Sequence, residues 1–93
     1  MEDVQDIIDN TEALEIAGLK IFPNPTQNIL NIDIPENQEG AFMLELTNLQ
    51  GQVFLQQDYL ESNKMNVADL PQGVYFLKIS DGKAVLTEKV FVF

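Results

Sequence analysis

From Leu19 onward, apolar and polar residues alternate in short runs, each closed by a proline or glycine signal. Ile29 to Ile34 places Leu30, Ile32 and Ile34 on one face and Asn31 and Asp33 on the other, the period of two that marks a half-buried strand. Ala41 to Thr47 repeats the pattern with Phe42, Leu44 and Leu46 inward, and Val74 to Ser80 repeats it with Tyr75, Leu77 and Ile79. Leu19 to Phe22, Gln52 to Asp58, Lys64 to Val67 and Lys83 to Phe93 read as the remaining strands. Pro23 and Pro25 stop the first of them, since proline removes a backbone donor and holds the residue before it, Asn24, extended.

The punctuation predicts how the strands connect. Asn48 to Gly51 reads as a tight hairpin with Gly51 in the left-handed conformation. Leu70 to Gly73 suits a β-turn with Pro71 second and Gly73 fourth, and Asp81-Gly82 suits a two-residue type I′ hairpin. Strands spaced by roughly ten residues and joined by turns too short for crossover helices call for antiparallel pairing in two packed sheets. The expectation is an all-β, immunoglobulin-like antiparallel sandwich of about seven short strands; a closed barrel is the alternative. Residues 1–18 differ: Val4, Ile7, Ile8 and Leu14 follow a loose helical spacing among six acidic residues, which fits a short amphipathic helix or a linker ordered by docking. The division is therefore an acidic linker or cargo tail over 1–18 and a folded domain over 19–93.

Composition narrows the function more than the fold. The 93 residues carry fifteen acidic and five basic side chains, a formal charge of −10, so phosphate backbones and anionic lipid surfaces are poor partners. No cysteine is present, which removes disulfides, thiolate metal sites and a cysteine nucleophile. Neither a signal peptide nor an apolar run of about 18 residues occurs, so the chain reads as cytosolic or as an excised piece of a longer exported protein.

The search for chemistry is largely negative. Without histidine there is neither the commonest general base nor the commonest metal ligand, and Ser62 and Ser80 lie in no nucleophile turn. Carboxylates are abundant, yet a glycosidase cleft needs aromatic lining, and the chain has no tryptophan and two tyrosines. Asp3, Asp6 and Asp9, like Asp33, Glu36 and Glu39, recur every third residue without matching a calcium loop, and read as solvated acidic faces. Phe54, Tyr59, Tyr75, Phe76, Phe91 and Phe93 read as core aromatics, with a small sugar site on a loop left open. No catalytic residue, metal or cofactor is expected.

Four segments, taken in order, resemble a known family. Ile21 to Thr26 followed by Leu30 to Ile32, Leu49 to Val53, Leu70 to Tyr75, and Thr87 to Val90 are similar to the motifs of the type A C-terminal sorting domains of the Bacteroidetes type IX secretion system. Phe22 stands where the pattern has tyrosine, and Asn48 to Gln50 lacks its aspartate. The resemblance covers about residues 19–93. It implies a secretion signal that passes through the periplasm to the cell surface or exterior, bound by the outer-membrane translocon and a β-barrel shuttle protein. In many members a sortase-like cysteine protease then cuts it off. It implies no enzyme activity, no nucleic acid and no small-molecule substrate.

The motif positions carried forward as candidates are Pro23, Asn24, Pro25, Gly51, Pro71, Gly73 and Tyr75, with the final run Lys89, Val90, Phe91, Val92 and Phe93. The tips around Pro71 to Gly73 and the last strand are the expected recognised patch, by pore entry or by strand addition at an edge. The competing expectation is that Val90 and Val92 close the core while Lys89 guards an edge. An immunoglobulin-like adhesive or carbohydrate-binding module and a structural spacer remain the other functional classes. The isolated chain is expected as a monomer or an edge-strand dimer.

Overall fold

The structure, a computed structural model, describes residues 12–36, 38 and 40–93. The stretch from Glu2 to Thr11, with Asp3, Asp6 and Asp9, and residue Glu39 lie outside the described residues. All described regular structure is β: β1 (Glu12–Ala13), β2 (Lys20–Phe22), β3 (Ile29–Asp33), β4 (Met43–Thr47), β5 (Val53–Asp58), β6 (Lys64–Asn66), β7 (Gly73–Ser80) and β8 (Ala84–Val92). The strands from β2 onward fall on the seven runs read from the alternation.

Two sheets form, one ordered β1-β8-β7-β4-β5 and the other β2-β3-β6. Every pairing is antiparallel except β1 with β8, which run parallel. Counted from β2, the first, second and fifth strands make one layer, and the third, fourth, sixth and seventh make the other. This is the immunoglobulin partition with the fourth strand moved beside the third. The result is a sandwich with two distinct layers, not a barrel.

The core is built from the inward faces that the alternation specifies. Leu30, Ile32, Leu44, Leu46, Leu77 and Ile79 are fully buried, and Met65, Val67 and Val90 join them. A register shift between Leu46 and Thr47 lets the neighbours Phe54 and Leu55 both pack on the core, because a bulge turns an extra side chain inward. Phe54 then meets Tyr75 with ring centroids 5.5 Å apart. Residues 12–18 are also built in: Leu14 packs against the core and Ile16 lies within it.

Two turns and three aromatics differ from expectation. The reversal expected over Leu70 to Gly73 is closed earlier, by the Leu70 amide donating to the Val67 carbonyl (3.1 Å). The Pro71 carbonyl is instead taken by the Tyr75 hydroxyl. At the last hairpin Gly82 and Lys83, not Asp81 and Gly82, are central, since the Asp81 amide donates to the Ala84 carbonyl (3.3 Å). Gly82 has φ of 95°, and among the described residues only glycines have positive φ; a type I′ turn needs both central residues positive, which Lys83 resists. Phe76, Phe91 and Phe93, expected in the core, lie outside it, the first half-buried and the other two exposed, because their parity is opposite to that of Tyr75 and Leu77 in β7 and of Val90 and Val92 in β8.

Asp81 stands before the turn and caps it, its Oδ1 accepting from the amides of Ala84 (2.8 Å) and Lys83 (2.9 Å). Those amides, Ala84 first, hold its carboxyl below the usual aspartate value. A lowered folded-state pKa means the contribution is complete above the unfolded value, about 3.9, and is lost as the pH falls through the folded one. The protection factors of the Lys83 and Ala84 amides, taken against the intrinsic exchange rate at each pH, should therefore fall on acidification through that window, and Asp81→Ala should lower both at neutral pH.

Candidate recognition surface

The twelve candidate positions are scattered in sequence, but the pairing gathers nearly all of them at one end of the sandwich. Gly73 pairs with Val92, and Thr26 forms a parallel bridge to Val92. That brings Pro23 to Thr26, Pro71 to Tyr75 and the end of β8 together. The 48–51 turn joins them across a shallow cleft of about 240 Å³ lined by Leu49, Phe54, Pro71, Val74 and Tyr75. A second depression of about 290 Å³ runs between Pro23, Pro25, Ile29 and Phe93. Lys89 lies further along β8, beside Leu19, Ile21 and Asn24.

Asn24 is the joint between the two layers. Its Nδ2 donates to the Lys89 carbonyl (3.0 Å), and its Oδ1 accepts from the Phe91 amide (3.0 Å). One side chain thus imitates a strand residue on the outer edge of β8. The flanking Phe22-Pro23 and Asn24-Pro25 bonds are both cis. Two residues on, the Thr26 amide donates to the Phe91 carbonyl (2.8 Å), and the Thr26 carbonyl accepts from Phe93 (3.0 Å). Thr26 is 1% exposed, and its hydroxyl donates to the Ile29 carbonyl (3.2 Å). The sequence marks Asn24 as an extended residue between prolines; it does not reveal a partner 65 residues away. Thr26 was missed as a pinning residue for the same reason.

Tyr75 ties the opposite side. It opens β7, its ring is buried, and its hydroxyl donates to the Pro71 carbonyl four residues upstream. That is the tyrosine-corner arrangement of immunoglobulin-like sandwiches, at the entry to the sixth strand. Burial pushes the hydroxyl above its ordinary pKa, so it stays a neutral donor. Gly51 closes its turn by donating to the Asn48 carbonyl (3.0 Å) at φ of 89°, while the Asn48 side chain accepts from Gln50 and Gln52 (3.0 and 2.8 Å).

Among the described residues, charged side chains are nearly absent from this end. Residues 21–32, 46–57, 70–77 and 90–93 contain no Asp, Glu, Lys or Arg, so among the described residues Asp69 is the one charged side chain in the loops here. In a chain of net charge −10 this leaves an apolar and amide surface on an otherwise acidic body. Alternation in β8 supplies its exposed aromatics: Val90 and Val92 are 0% and 4% exposed, whereas Phe91 and Phe93 are 44% and 55% exposed. Phe22, at 47%, adds a third. Among the described residues no group of three potential metal ligands lies together.

A family model described as "secretion system C-terminal sorting domain" matches residues 20–93. The chain belongs to that family. It is a sorting domain of type IX secretion, a signal and not a catalytic family, and its cargo passes to the cell surface or extracellular space. No curated protein matches the chain in sequence. The matched span begins at β2 and takes in every motif at the uncharged end.

Asn24→Ala removes both side-chain bonds to β8 and should cost about 1–2 kcal/mol, read by urea denaturation, with faster amide exchange at Phe91. Tyr75→Phe loses the bond from the hydroxyl to the Pro71 carbonyl and should cost about 1 kcal/mol in the same assay.

Proposed function

We propose that the uncharged end of this sorting domain is the surface read by the outer-membrane translocon and its β-barrel shuttle protein, with Phe91 and Phe93 as its apolar anchors. The observation that carries this reading is the division of β8: Val90 and Val92 complete the core, and the intervening aromatics are left in solvent. A strand whose outward residues served only solubility would carry polar groups there, as Thr87 and Lys89 do earlier in β8. Exposed aromatic side chains in an uncharged surround are the composition of the centre of a protein interface.

The acidic body supports the same reading from a distance. Its charge steers approach toward a cationic receptor, whereas the uncharged end meets the partner without burying an unpaired ion. Removal by a sortase-like cysteine protease belongs to this proposal too.

The test is a periplasmic reporter fused to the 93-residue chain in a host that has the secretion system. Phe91→Ser together with Phe93→Ser should cut surface delivery more than about tenfold, equivalent to about 1.4 kcal/mol of binding, while the thermal midpoint of the purified chain stays close to wild type. Glu45→Gln on the body should leave delivery unchanged. Full delivery by the double serine variant would remove the anchor role.

A further inference from the structure

The outer edge of β8 has a second occupied stretch, at the opposite end from the aromatic surface. The carbonyls of Val85, Lys89 and Phe91 and the amides of Phe91 and Phe93 all bond away from β7. Odd-numbered residues of β8 therefore turn their backbone donors and acceptors outward, and such a row is a template for another strand. Among the described residues the cover at Ala84 and Val85 is β1, paired in parallel through two residue pairs, with the Leu14 amide donating to the Val85 carbonyl (3.1 Å). Among the described residues, Thr87 has no backbone partner on this edge.

The covering segment is anchored by one side chain and one turn. Ile16 inserts into the core at 9% exposure, and the Leu19 amide donates to the Ile16 carbonyl (3.3 Å). Gly18 closes this turn at φ of 82°, and a Cβ there would stand 3.0 Å from Pro35. The segment thus has the parts of a docked peptide: a short run of main-chain pairing and one aliphatic plug, delivered from outside the strands that hold the core. It also lies before the residues that the family model matches.

We infer that the outer edge of β8 from Ala84 to Thr87, with the recess that holds Ile16, is a strand-addition site for an extended peptide carrying an aliphatic side chain three residues after its paired strand. The chain fills the site with its own residues 12–16, and a second copy supplies the same segment when the first is displaced. Short, edge-paired segments open at lower free energy than central strands, so exchange proceeds without unfolding the sandwich. Because β1 enters beside the last hairpin, the site is filled independently of the Phe91 and Phe93 surface, and the inference does not rest on their recognition.

The test uses the full chain in two variants and one probe, a labelled synthetic peptide of residues 11–19. Leu14→Pro removes the donor to Val85, and Ile16→Asp empties the recess. Each variant should lose amide protection at Val85 while Leu77 and Val90 keep theirs. Each should bind the peptide saturably at one per chain, which the wild type does not, and a peptide carrying Ile16→Asp should not bind. Without peptide, sedimentation should show each variant as a monomer, because its altered segment cannot fill the site of a second copy. Unchanged protection at Val85 in Leu14→Pro would overturn the inference. So would failure of the folded variants to take the peptide, or loss of protection at Leu77 together with Val85 in both, which would make the segment part of the core.

Discussion

The exposed edge of β8 is the constraint on which the rest of the molecule depends. A nine-residue strand at the side of a sheet offers a row of unpaired amides and carbonyls. Here the N-terminal third of the chain covers it by crossing between layers: β1 pairs with β8, β2 pairs with β3 in the other sheet, and Asn24 to Thr26 return to β8. The two sheets are therefore joined along this side by main-chain bonding as well as by apolar packing. On the far side the join is lighter: the Gln57 side chain donates to the carbonyls of Ser62 and Lys64 at 2.9 and 3.0 Å.

That arrangement explains why the family's motifs are mostly turn residues. Pro23, Pro25, Gly51, Pro71 and Gly73 make few contacts that a receptor could read as chemistry, but they set where the chain reverses, and the reversals collect at one end. Asn24 and Tyr75 lock the two sides of that end, one by imitating a strand residue and the other by holding the corner before β7. The last strand lies between these locks. Its valines face the core and its phenylalanines face solvent, so a single strand contributes to stability through one parity and presents a surface through the other.

Charge follows the same geography. Among the described residues, the acidic side chains sit away from the turn-rich end, apart from Asp69. Four uncharged segments that are far apart along the chain become one surface only when β8 pairs with β7 and Thr26 bridges to Val92. A body that repels polyanions and an end that can be buried without stranding an ion are compatible with passage to the cell exterior, where the family delivers its cargo.

What the sequence determined by itself was local and periodic. The side-chain period of a strand is two, so the inward faces of β3, β4 and β7 followed from alternation alone, and Gly51 followed from the need for a positive φ. What only the tertiary structure decided depended on partners far along the chain. Asn24 as a clamp needed Lys89 and Phe91, and Ile16 as a core residue needed a recess that exists only when both layers are in place. The turn at Gly82 and Lys83 was set by the register of β7 on β8, one residue from the position that the Asp-Gly pair suggests. Likewise Phe91 and Phe93 look like core residues in a run of four apolar side chains, because a continuous apolar run carries no phase until pairing with β7 assigns each parity to a face.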